Sequence, residues 1–180
     1  MTAAPDALIS RPVAVADIPA SGLEVTVEAT EAERAEIARR FGTGPIDRLV
    51  GSFSLKGTSD RILVTGTVEA GLTQTCVVTL EPFPNTLREA VEVTFMSPAA
   101  LEQWRAAHEV PEEGEPSAED EPDEIVGGTI DLGIVTAEFF ALGLDPYPRK
   151  PGAQFRYENS DEEKVSPFAV LKNLSKREDQ

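Results

Sequence analysis

The stretch IDRLVGSFSLKGTSDRILVTGTVEAGLTQTCVVTLEPFPNTLREAVEVTFM, Ile46–Met96, alternates apolar and polar residues along most of its length, and that period decides the fold. Successive side chains of a strand point to opposite faces, so this alternation marks a sheet with one face on a core and the other in water. RLVGSFSLKG, RILVTGTVEA, LTQTCVVTLE and EAVEVTFM are separated by Gly-Thr-Ser-Asp, Ala-Gly and Pro-Phe-Pro-Asn, which predicts four strands in an antiparallel meander. Ile62, Val64, Gly66 and Val68 share a face of the second strand, and Cys76, Val78 and Leu80 share a face of the third. Gly51, Gly57, Gly66 and Gly71 offer bulges or bends, so a strongly bent or barrel-like sheet is expected.

Toward the N-terminus, RPVAV (Arg11–Val15) and GLEVTVEA (Gly22–Ala29) carry the alternation further, with a turn at Pro19–Gly22. Thr30 with Glu33 forms a capping box for a helix running through Phe41 to a stop at Gly42. Ile37, Ala38 and Phe41 make its apolar face, with Glu31, Glu36, Arg39 and Arg40 toward water.

Toward the C-terminus, Pro98 opens a short helix over about 99–107 that sets Leu101 and Trp104 on one side. EVPEEGEPSAEDEPDE, Glu109–Glu124, holds nine acids and no Lys or Arg, and its few apolar groups do not offset chain entropy, so it is expected to be mobile. In IDLGIVTAEFFALGLDPYPRKPG (Ile130–Gly152), Asp131 caps a helix to about Gly143. Ile134, Val135, Phe139, Phe140 and Leu142 make it apolar around most of its circumference, and such a helix must be covered. Ser166 and Pro167 start a last helix, with Phe168, Leu171 and Leu174 in one stripe. The fold class is α+β, an antiparallel, strongly bent or barrel-like sheet with packed helices. The division is a flexible N-terminus (1–10), a sheet-rich core (11–108), an acidic mobile insert (109–128), a helical completion of the same domain (129–176) and a flexible tail (177–180).

The 180 residues suit a single domain that needs no disulfides. Net charge is −16; without the nine acids of the insert the remainder still carries −16 + 9 = −7. Such a chain repels polyphosphate at long range, so a basic protein is a better partner than bare nucleic acid, and direct RNA binding stays open. No apolar run approaches the ~18 residues of a membrane span, and MTAAPDALIS lacks the basic start and apolar stretch of a signal peptide. A cytoplasmic protein is expected.

Little in the chain is equipped for catalysis. Cys76 is the single cysteine, set on a strand without a local cation to lower its pKa, and it reads as a small buried hydrophobe. His108 reads as an exposed imidazole at the edge of the acidic run. Cys76 and His108 together fall short of the ligand count of a structural zinc site. No G-x-S-x-G, P-loop or G-x-G-x-x-G is present. Glu81, Asp131 and Glu138 are an acid/base or metal set only if the fold gathers them; their plainer roles are a strand-end charge, a cap and a surface charge. No catalytic, cofactor or metal residue is therefore assigned. The acidic run is a solvating linker, a weak binder of divalent cations, or an imitation of nucleic acid toward a basic protein. Lys172, Lys176 and Arg177 are either a contact site or cations favoured at a helix C-terminus. The candidate partner-binding residues are Glu112, Glu113, Glu115, Glu119, Asp120 and Glu121 for electrostatic capture, with Phe168, Leu171, Lys172, Leu174 and Lys176 for packing.

Cys76-Val-Val-Thr-Leu-Glu81-Pro, the stretch from Ile130-Asp131-Leu132-Gly133 to Asp145-Pro146, and the closing Pro167-Phe168-Ala169-Val170-Leu171-Lys172-Asn173-Leu174 resemble the YceD family over most of Ile46–Lys176. These are bacterial and plastid proteins named for accumulation of large-subunit ribosomal RNA. Many relatives carry Cys-x-x-Cys on the strand and a second cysteine group after the apolar helix, a pattern that suggests a metal. Here Thr79 stands at the second position and Tyr147–Phe155 has no cysteine, so that site is expected to be lost. The resemblance implies a non-catalytic ribosome-biogenesis factor. The family's gene often neighbours that of a small basic large-subunit protein, and a basic ribosomal protein or assembly intermediate is the partner it suggests. The competing reading is an acidic, nucleic-acid-mimicking regulatory adaptor.

Overall fold

The computed structural model describes residues 7–108 and 120–155. Its elements are β1 (Pro12–Ala14), β2 (Leu23–Glu28), α1 (Glu31–Phe41), β3 (Ile46–Thr58), β4 (Arg61–Thr75), β5 (Pro82–Met96), α2 (Pro98–Ala107), β6 (Asp123–Glu124), β7 (Thr129–Asp131) and α3 (Leu132–Leu142). The main sheet has the order β2-β3-β4-β5-β6, antiparallel except for the short parallel pairing of β6 with β5, while β1 and β7 form a separate antiparallel ribbon. The class is α+β as expected. The sheet is open, however, so the barrel-like alternative is not realised; β2 and β6 are its two ends.

The meander differs from the expected one. Three long strands replace four, because β4 runs straight through Ala70-Gly71, where Gly71 pairs with both Arg48 and Thr86. The reversal comes instead at Cys76–Glu81, where the Cys76 N–H donates to the Glu81 carbonyl and the Leu80 N–H to the Cys76 carbonyl. Pro82 and Pro84, read from sequence as turn formers, lie inside β5. Both have the same parity, and β6 reaches only Phe95 and Met96, so their missing donors fall on an edge that no strand covers among the described residues. Likewise β1 lies outside the main sheet, turned away by a 3-10 turn at Val15–Asp17.

The core lies on one face of the sheet. Leu49, Phe53 and Leu55 of β3, Ile62, Val64, Val68 and Leu72 of β4, and Val91 and Phe95 of β5 face Ile37 of α1 and Leu132, Val135 and Phe140 of α3. Two glycines set the spacing of α3. A Cβ on Gly51 would come within 2.7 Å of Thr136 Oγ1, and one on Gly133 within 2.7 Å of the Ile9 carbonyl carbon. The helix thus rests close on β3 while the N-terminal segment rests close on the helix. Ile9, placed above in a flexible N-terminus, is only 1% exposed. Burying it contributes about 1.5–3 kcal/mol, no more than the cost of ordering one or two residues of backbone. Polar contacts add what Ile9 lacks: Asp131 accepts from Ser10 Oγ at 2.6 Å and from the Arg11 N–H at 2.7 Å, and it also caps α3 through the N–H groups of Gly133 and Ile134.

Helix α1 starts at the Thr30–Glu33 capping box and ends at Gly42 with φ 65°, both as the sequence predicts. Glu33 is also gripped by both terminal nitrogens of Arg11 at 2.9 Å, which ties the N-terminal segment to a second helix. The Arg11 hydrogen bonds, with those from Thr30, hold the Glu33 carboxyl below its ordinary range despite partial burial.

Two outcomes are expected. Gly133→Ala gains up to about 1 kcal/mol of helix propensity but forces a methyl group onto backbone, a strain of about 1–3 kcal/mol, so urea unfolding is expected to show a net loss; a gain would mean that Ile9 does not pack there. Glu33→Gln is expected to cost about 1 kcal/mol at pH 7. The folded pKa of Glu33 is lowered, so its contribution is present above the unfolded value of about 4.3 and is lost as pH falls through the folded value. The wild-type and variant stability curves are therefore expected to converge in acid.

Candidate functional site

At the end of the sheet where β4 turns into β5, Cys76 is fully buried. The Thr79 hydroxyl and the N–H groups of Lys150, Thr79 and Val78 converge on its sulfur. The Thr79 hydroxyl has the largest effect, and together these donors outweigh burial and bring the thiol down to about 7. In sequence Cys76 stands in a strand-like pattern without a local cation. A tight turn supplies hydrogen-bond donors instead, and Thr79 three residues on was the available signal. The turn is strapped to the loop after α3: the Val77 N–H bonds the Pro148 carbonyl at 2.9 Å, and Lys150 Nζ pairs with Glu81 at 2.9 Å.

Donors of this kind also steady a metal-bound thiolate. Among the described residues, those around Cys76 do not fit a metal. The facing loop offers Pro148, Arg149 and Lys150, and among the described residues no group of three or more His, Cys, Asp or Glu side chains is placed to hold an ion.

Beside the turn is a cleft of about 270 Å³ lined in part by Gln74, Asn85, Arg88, Gly143 and Asp145. Gln74 is 6% exposed, accepts from Asn85 Nδ2 at 2.7 Å and reaches the Asp145 carbonyl at 3.4 Å. The sequence reading passed over this pair. Its signal was a break in the period of two, since Gln74 and Asn85 occupy positions on the core side of their strands.

The remaining candidates are dispersed. His108 is half-buried rather than exposed: its ring stacks on Trp104 with centroids 4.1 Å apart, and Nδ1 lies 2.8 Å from the Trp104 carbonyl. Glu81, Asp131 and Glu138 do not converge, being engaged respectively with Lys150, with Ser10 and Arg11, and with the surroundings of Asp123. Glu138 and Asp123 both have raised pKa values, first from burial and then from a like charge, Asp123 acting on Glu138 and Glu121 on Asp123. Of the partner-binding candidates, Asp120 is exposed and Glu121 pairs with Arg105 at 2.6 Å. The end of the acidic run is held where Asp123 and Glu124 pair with Phe95 and Met96 and Ile125 is buried. Glu112, Glu113, Glu115, Glu119, Phe168, Leu171, Lys172, Leu174 and Lys176 lie outside the described residues. Among the described residues no helix is long and apolar enough to cross a membrane.

A family model described as "Large ribosomal RNA subunit accumulation protein YceD" matches residues 64–175. No curated protein and no solved structure gives a match to the chain.

The absorbance of the thiolate near 240 nm, followed against pH in the native protein, is expected to show Cys76 titrating with a midpoint of about 7. Thr79→Val removes a donor that favours the charged form and is expected to raise that midpoint; an unchanged midpoint would dismiss the hydroxyl as the cause.

Proposed function

Since the chain belongs to the YceD family, we propose that it is a non-catalytic ribosome-biogenesis factor that supports accumulation of large-subunit ribosomal RNA by binding a basic ribosomal protein. The family's name supplies the large-subunit RNA pathway. The mode of action rests on one observation: acids far outnumber cations, 32 Asp and Glu against 16 Lys and Arg. The chain carries −16 overall, nine acids fall within Glu109–Glu124, and Asp123 and Glu138 have pKa values raised first by desolvation and then by a neighbouring like charge. A cationic partner relieves that repulsion, whereas an RNA phosphate chain adds to it. An acidic protein of this kind keeps a cation-rich client in solution and away from premature contact with RNA.

The test is binding to purified large-subunit proteins and to ribosomal RNA across a salt titration. Capture of a basic protein that weakens with salt is expected, and replacing the nine acids by their amides is expected to weaken it further and flatten its salt dependence. Tight RNA binding with no protein client would overturn the proposal. Binding confined to a basic protein unconnected with ribosomes would favour the regulatory adaptor.

A further inference from the structure

Strand β2 ends the main sheet, and among the described residues no other strand pairs with its outer edge. The Ala29 N–H donates to the Leu49 carbonyl of β3, and alternate residues of a strand share a hydrogen-bonding side. Val27, Val25 and Leu23 therefore bond to β3, while the backbone groups of Glu24, Thr26 and Glu28 point outward. The 3.4 Å contact from Arg11 Nη2 to the Glu28 carbonyl fits this parity. The edge thus offers both backbone groups of Glu24 and Thr26 and the N–H of Glu28.

The side chains say what would pair there. Glu24, Thr26 and Glu28 are exposed on the face away from the core, and neither glutamate side chain has an ion-pair or hydrogen-bond partner among the described residues. Leu23 and Val25 lie on the core side, only partly buried against it. A second copy of the chain pairing about Thr26 would set Glu24 opposite Glu28 twice, which repels. A strand bearing cations four residues apart on one face and apolar residues on the other satisfies both glutamates and completes the cover over Leu23 and Val25. The other long edge is unsuited to such pairing, because Pro82 and Pro84 break its donors and β6 occupies its end.

We propose that the outer edge of β2 takes an extended basic segment of the client by strand addition, with its cations opposite Glu24 and Glu28. This rests on the function proposed above and assigns it a surface separate from the acidic run.

The probe is the peptide acetyl-TVKVTVKVT-amide, with acetyl-TVEVTVEVT-amide as its charge-reversed control. In the full-length protein, nuclear magnetic resonance is expected to show shifts at Leu23–Glu28 and slowed exchange of the Thr26 amide on adding the basic peptide, with much weaker effects from the acidic one. Glu24→Lys/Glu28→Lys alters two exposed side chains, and circular dichroism checks that it folds. It is expected to weaken the basic peptide by about fivefold or more and to strengthen the acidic one. Shifts confined to other regions, or equal binding of both peptides by both proteins, overturn the assignment. Purified large-subunit proteins separate its failure from that of the proposed function: a client bound equally well by wild type and variant overturns the edge alone, whereas no client for either protein overturns the function while the peptide shifts still decide the edge.

Discussion

The Asp131 carboxylate ties together three parts of the molecule. It caps α3, receives the Ser10 hydroxyl and the Arg11 N–H, and ends β7, the strand that pairs with β1. Helix α3 is apolar on nearly every side, and the sheet covers only one of them. Its opposite side is met by the N-terminal segment, which the carboxylate holds together with the pairing of β1 and β7. Arg11 then passes the restraint on to Glu33 and α1. The N-terminal residues are thus built into the core although nothing in their own sequence announces it.

Local chemistry was legible and long-range geometry was not. The Thr30–Glu33 box, the Gly42 stop, the Pro98 start of α2 and the Asp131 cap are short-range signals, and each forms where its residues stand. The strand boundaries misled because Gly and Pro punctuate a chain only when the neighbouring strand needs their missing features. Gly71 has open space around it and stays in register, and Pro82 and Pro84 fall on an uncovered edge. The burial of Ile9 was invisible because it depends on the absent side chain of a glycine more than a hundred residues away. The Cys76 environment was missed for a related reason: one of its donors, the Lys150 N–H, comes from a loop distant in sequence.

Charge links the fold to the proposed role. The held end of the acidic run is anchored by backbone pairing of Asp123 and Glu124 with β5 and by the Glu121–Arg105 ion pair. The Asp123 and Glu124 side chains are exposed, and the strand fixes where they stand. At the other end of the sheet β2 offers a directional backbone edge, so long-range attraction and short-range pairing are assigned to opposite sides of the same sheet.

The tie between Ser10 and Asp131 spans 121 positions of sequence, and that separation acts during synthesis. The strands from Leu23 to Met96 are made first, but the helix that covers them begins at Leu132. At about 5–20 residues per second, the core face of the nascent sheet waits roughly 2–7 seconds for its cover. During that interval an acidic, proline-rich tract leaves the ribosome behind the exposed apolar strands. Its charge keeps neighbouring copies apart until α3 arrives.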